Sequence, residues 1–438
     1  MFRRNIIDLK VVASFIIFSL TLATVVLLQP NDTGISKIRN YPATVCPQKL
    51  SDGTSTSVLP SRDILVREIP SKKNLLKPAK SALYLSLNPL LVDGYNSTSI
   101  NVTRSQSRSL ATVTCAISNS EQWFVGGSGT VSSRASLVVT NSGLSLSVVD
   151  LVIYSANPAP SLVTKKIRAN SSKRIYLDTL APGESSIVVR VVTKSGRVTT
   201  FLYDQRERGL QKFGADFVSP SNSPEKTVVI PAISSVPLVR GRSNQMLRVL
   251  TPGKVGANIR AQIVSNDGSF APIALDNITL ESNVVADIAF KPILKSRNFS
   301  LVIKSDQPIV AAVKSSGVFE GVNEFTWSTA ASQLEDLAMH LGGLQPDFVF
   351  TGKKFEVRIS WMLKNRKILS KTLSGDDLAT WRPKNGILWV SFLPSEPDIF
   401  GGIIFKEQAG LSSLPLVAGA QLESAAVPNL DARVIARE

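Results

Sequence analysis

Hydrolysis of a glycan needs two carboxyl groups held roughly 5 to 9.5 Å apart, one giving a proton and the other attacking or activating water. The chain offers Asp150, Asp178, Glu184, Asp204, Asp216, Asp276, Asp287, Asp376 and Asp377 for such work. They fall on turn-like and strand-end positions and read first as solvated turn residues. Nucleophilic catalysis by serine needs a base, and His340 is the single histidine. No Gly-x-Ser-x-Gly elbow accompanies it. Cys46 and Cys115 are the only cysteines, too few for a cysteine metal site, and no Cys-x-x-Cys motif occurs. No catalytic, metal or cofactor residue is therefore assigned, and the expectation is a non-enzyme.

One stretch resembles a phosphate cradle: Gly126-Gly127-Ser128-Gly129-Thr130, preceded by Trp123 and Phe124. A phosphate loop needs Gly-x-x-x-x-Gly-Lys-Ser/Thr opening a helix. Here no lysine follows, and the sequel "VSSRASLVVTN" is strand-like. The glycines read instead as turn formers, and Trp123 and Phe124 as an apolar plug for the first β domain. Trp327, Trp361, Trp381 and Trp389 are candidate glycan contacts if they are exposed, and core residues if they are not.

The elements that hold these residues read as strands. Ser, Thr, Val and Leu dominate, in short alternating runs. The segments "RASLVVTNSGLSLSVVDLVIYSANP" and "NQMLRVLTPGKVGANIRAQIVSNDGSF" open two similar units, in which Leu137 and Phe201, and Leu247 and Ala311, share a spacing of 64 residues. A third, divergent unit starts near "NEFTWSTAA". The insertion "SQLEDLAMHLGGLQP" is expected to form a short helix. The predicted fold is all-β: tandem immunoglobulin-like β-sandwiches after one N-terminal transmembrane helix. The expected divisions are a cytoplasmic N-terminus (1–10), a signal-anchor (11–28) and a polar linker or stalk (29–75). Three sandwiches (76–220, 221–320 and 321–425) and a tail (426–438) follow.

Val11 to Leu28 carries no charge, and Arg3, Arg4 and Lys10 precede it. That pattern predicts an uncleaved single-pass anchor with the N-terminus in the cytoplasm and the remainder outside. The competing reading is a cleaved signal peptide, although no Ala-x-Ala site follows the run. In an oxidising space Cys46 and Cys115 either pair or stay as thiols. A bridge would close a loop of about 70 residues, a constraint on the order of 4 kcal/mol. The net charge is +16, from 49 Lys and Arg against 33 Asp and Glu. The cations are spread along the chain without a nucleic-acid motif, so envelope proteins, anionic wall polymers or a lipid surface are the expected partners, and nucleic acid is not.

The pattern of Cys115, Trp123, Phe124, Gly126, Gly127, Ser128, Gly129, Thr130 and Asn141 resembles an uncharacterised family of actinobacterial envelope proteins, a domain of unknown function. The resemblance spans roughly residues 40 to 420. It implies a single-pass exported protein with a β-rich ectodomain and brings no established activity. The expected function is a structural or accessory role in the cell envelope. The alternatives are a carbohydrate-binding module protein and an envelope glycan hydrolase.

Overall fold

β-branched and small polar residues alternate along the chain, and in the computed structural model they form strands throughout. The structure describes residues 39–40, 44–50, 53–71, 73, 75–85, 87–94, 97–104, 109–209, 211–235, 244–319, 321–408, 410–419 and 424–425. The expected cytoplasmic segment, membrane anchor and tail lie outside these residues. Among the described residues the only helical elements are the 3-10 turns Leu177–Thr179 and Ile273–Leu275, and no helix is long and apolar enough to cross a membrane. The protein is all-β. One small unit holds Arg39–Asn40 paired antiparallel with Ser424–Ala425. The other, Pro42–Leu422, contains everything described below.

The first lobe has two four-stranded sheets. One runs Thr44–Cys46, Leu90–Asp93, Ser61–Glu68, Lys77–Ala79; the other runs Leu110–Thr114, Ile100–Arg104, Thr54–Ser57, Leu83–Tyr84. Val58, Ile64, Val66, Leu90 and Val92 form their shared core. A Cys46–Cys115 disulfide closes it, linking residues 69 apart. Thr44–Cys46, Thr54–Ser57 and Ser61–Glu68, within the stretch read from composition as linker, are thus strands. Thr44, Thr54, Thr56 and Ser57 are buried, each paired with a partner more than 40 positions later, which local composition does not register.

The second lobe also has two four-stranded sheets: Glu121–Val125, Val188–Ser195, Ser147–Tyr154, Ser161–Ile167, and Ser171–Tyr176, Ser136–Asn141, Val198–Arg208, Gln211–Val218. The third is an eight-stranded sheet built on the long strand Asn298–Phe319, which pairs with Glu225–Ser234, Asn244–Leu250, Ala257–Ser265 and Val322–Thr329. The repeat seen in the sequence has a structural counterpart. Leu137 pairs with Leu202 in one unit, and Leu247 with Val313 in the next. A boundary at residue 321 would cut the hairpin that joins Asn298–Phe319 to Val322–Thr329, so the third lobe runs on to about Thr329.

The fourth lobe is built on Pro346–Leu363, flanked by Ile368–Trp381, Ile387–Pro394 and Phe400–Glu407, with Gly410–Pro415 beyond. The expected helix near 332–346 is instead the strand Leu337–His340. It pairs antiparallel with Ile387–Pro394 and parallel with Ser97–Thr98 of the first lobe. Paired backbone on both sides outweighs the weak local helical bias of "LEDLAMH".

The first and last lobes therefore share a sheet, and the four lobes close into a ring. The last strand of each lobe packs beside that of the next: Leu110–Thr114 against Gln211–Val218, then Val322–Thr329, then Gly410–Pro415, and back to Leu110–Thr114. Apolar cores bridge the joints. Ala111 and Val113 pack with Phe201 and Phe217. Trp327 and Phe325 join the core of the second lobe. Ala232 and Val264 join Val349 and Ile404, and Val102 and Leu110 join Phe405 and Leu414.

Candidate functional site

Each of the four central strands brings one small polar or acidic side chain to the same level: Thr112, Asp216, Thr326 and Ser412. All are buried. Thr326 Oγ1 donates to Asp216 Oδ2 at 2.7 Å, and the Trp327 amide donates to the same oxygen at 2.9 Å. Ser412 Oγ donates to Asp216 Oδ1 at 2.7 Å and lies 2.7 Å from Thr112 Oγ1. One carboxyl thus ties three neighbouring strands, and Ser412 extends the tie to the fourth. Burial pushes Asp216 up to about 8, despite the hydrogen bonds from Ser412, Trp327, Thr326 and Phe217.

Two residues earlier on each strand stand Leu110, Gly214, Glu324 and Gly410, which alternation places on the same faces. Glu324 fills this level. Its Oε1 accepts from the amides of Ala215 (3.3 Å) and Phe325 (3.1 Å). A Cβ built on Gly214 collides with Oε1, and one on Gly410 collides with Oε2. Two side chains are deleted where one carboxyl must fit. Burial, reinforced by Asp216, pushes Glu324 up to about 9.

A charged network lies beside this axis. Arg206 donates to Asp204 from Nε (2.9 Å) and Nη2 (3.1 Å), and Trp327 Nε1 donates to Asp204 Oδ2 at 3.1 Å. Burial would raise Asp204, but Arg206 and Lys314 outweigh it and hold the carboxyl below its usual value. Burial, with Arg206 nearby, brings Lys314 down to about 8. Arg248, 2% exposed, donates to both oxygens of Asp287 at 2.7 and 2.8 Å and to the carbonyls of Gly127 (2.7 Å) and Ile187 (3.2 Å). Its guanidinium lies 5.2 Å from the Trp327 ring centroid. Ser186 also donates to Asp287, at 2.5 Å.

The glycine run is the receiving surface for that arginine. Gly127 has φ +87°, and a Cβ there would strike Leu177. Gly129 leaves room only for the Ala181 carbonyl, and its amide donates to Glu184 O at 2.8 Å. Ser128 Oγ donates to the same carbonyl at 3.2 Å and lies 3.0 Å from Thr130 Oγ1. Trp123 and Phe124 lie in the core, with Trp123 stacked on Tyr154 at 5.8 Å.

The candidate carboxylates go to different places. Asp204 and Asp216 meet at the axis, but both are 0% exposed and closed to any substrate. Asp287 is held by Arg248. Asp150 accepts from Thr164 at 2.6 Å, which keeps it below its usual value. Asp276 pairs with Arg260 at the surface, and Asp377 accepts from Ser269 at 2.9 Å. Asp178 lies in a 3-10 turn, Glu184 in the loop under the glycine run, and Asp376 is exposed on Ile368–Trp381.

The tryptophans do not build a platform. Trp327 is 0% exposed and Trp381 7%, the latter stacked on Phe348 at 5.6 Å, so neither can meet a sugar. Trp361 and Trp389 are half-buried. Trp389 pairs with Met362, the neighbour of Trp361, and successive residues alternate in direction, so the two indoles lie on opposite faces of the sheet. His340 is a seam residue: its Nδ1 accepts from the Gly342 amide at 3.0 Å and lies 3.0 Å from Ser57 Oγ of the first lobe. Ser57 is 1% exposed, whereas His340 is half-buried.

Thr112, Thr326, Ser412 and Glu324 were not singled out from the sequence. The available signal is a polar residue in the middle of each closing strand: "LATVT", "GADFV", "EFTWS" and "GLSSL".

These features define an all-β protein whose four lobes are locked round a buried polar axis. The chain belongs to the family of unknown function DUF5719, whose model matches residues 90–365. No curated protein matches it. Among solved structures it is similar to Thermotoga maritima 1070, with 15% identity over 24% of this chain and 93% of that one and a TM-score of 0.22. It is also similar to the tetra-tandem repeat in the extending region of a large adhesion protein, with 10% identity over 86% of this chain and 98% of that one and a TM-score of 0.12.

Proposed function

We propose that the protein is a non-enzymatic, membrane-anchored scaffold of the cell envelope, with its ring of β lobes held outside the membrane to make contacts with envelope proteins or anionic wall polymers. The observation that carries this reading is where the acids converge. Asp204, Asp216 and Glu324 meet at a sealed axis and are spent on holding four lobes together. A hydrolase would need such carboxyls in an open cleft. The uncharged run from Val11 to Leu28 behind Arg3, Arg4 and Lys10 supports the anchor and its direction. The disulfide supports an oxidising compartment. An actinobacterial envelope is the setting implied by the family resemblance, and the paired four-stranded sheets of the second lobe support an immunoglobulin-like sandwich there.

Protease shaving of intact cells producing the full chain tests the reading. Digestion of the C-terminal epitope, with an N-terminal epitope protected, is the expected result. Protection of both ends, or release of reducing sugar from purified wall by the purified chain, would overturn it.

A further inference from the structure

The segment that joins the two edge strands of the first lobe, Lys77–Ala79 and Leu83–Tyr84, is unlike the rest of the surface. Leu75, Leu85 and Leu87 are 60%, 82% and 70% exposed within thirteen residues, and Leu76 and Leu83 are also exposed. Exposed apolar residues elsewhere are mostly single, as at Val131, Ile273 and Ile293, or a pair such as Leu144 and Leu146, which is ordinary for a protein surface. Lys73, Lys77 and Lys80 alternate with the leucines and are exposed. Residues 69–89 contain four lysines and no acid. Leucines interleaved with lysines match the acyl boundary and the anionic headgroups of a bilayer together, which neither a purely apolar nor a purely basic patch does.

We propose that the exposed Leu75, Leu76, Leu83, Leu85 and Leu87, with Lys73, Lys77 and Lys80, dock on an anionic lipid surface. This rests on the anchored reading above.

The test uses the full chain with Ser81→Cys, an exposed position, labelled with an environment-sensitive fluorophore. The chain is placed in nanodiscs of neutral phosphatidylcholine or of phosphatidylcholine with phosphatidylglycerol. A blue shift in the anionic discs alone is expected, reversed by high salt and abolished by Lys77→Glu with Lys80→Glu. With free anionic vesicles, the same pair of substitutions should weaken partitioning at least about tenfold. Equal emission in both lipids overturns the proposal. So does blue emission in both that ignores the lysine substitutions, which would mean that another part of the chain or a second copy covers the patch. Failure of the chain to stay with neutral discs on gel filtration sinks the anchor instead. Docking is then read from the vesicle arm alone.

Discussion

Asp204 and Asp216 stand directly opposite each other across the antiparallel strands Val198–Arg208 and Gln211–Val218, both fully buried, yet their environments push them in opposite directions. Arg206 and Lys314 keep Asp204 charged. Asp216 receives hydrogen bonds from hydroxyls and backbone amides and stays protonated at neutral pH. Two charges at that distance in the interior would repel strongly, and the split removes the conflict. The same split makes the ring sensitive to pH.

Asp216 and Glu324 both hold protons in the folded state that their unfolded forms release near pH 4, since their folded values are about 8 and about 9. Folded protein then binds more protons than unfolded protein, so stability falls as pH rises from about 4 to 8. Thermal melts across that range should show a declining midpoint. Asp216→Asn keeps the shape, takes one of the two protons out of the linkage, and should reduce the slope of stability with pH by about half over this window. A slope equal to wild type would contradict the assignment.

Arg248 connects the third lobe to the glycine run of the second. Arg248→Met leaves the half-buried Asp287 without its cation, with Ser186 as its remaining donor, and the Gly127 carbonyl without the Arg248 donor. The expected loss is about 3 to 5 kcal/mol in urea unfolding. The double variant with Asp287→Leu should recover part of it, because no uncompensated charge remains.

Gly129→Ala forces a Cβ into the Ala181 carbonyl, and Gly127→Ala adds a left-handed backbone to a contact with Leu177. Each should lower the melting temperature. By contrast Gly183→Ala, with its own positive φ but open space around it, should cost only about 1 to 2 kcal/mol. Equal effects at Gly129 and Gly183 would remove the packing argument.

Cys46→Ser with Cys115→Ser opens a link between residues 69 apart. A loss of about 4 kcal/mol is expected by the loop-entropy relation. Addition of dithiothreitol to the wild type should move its urea midpoint towards that of the double variant, while leaving the variant itself unmoved.

Alternation of Val, Ser and Thr was enough to read strands, because a half-buried strand demands period two whatever its neighbours are. The repeat opening at Leu137 and Leu247 was legible for the same reason, as both strands close on partners about 65 positions later. The glycine run could be denied a phosphate role from its missing lysine and helix alone. Chain order could not reveal that the strand Leu337–His340 borrows Ser97–Thr98 across some 240 residues, or that Thr112, Asp216, Thr326 and Ser412 converge. Local pattern reports which face of a strand is buried. Which other strand covers that face, and hence whether an aspartate there is solvated, catalytic or neutral in a sealed axis, is decided by contacts between distant segments. The tertiary structure alone fixed those contacts, and with them the charge states of Asp204 and Asp216.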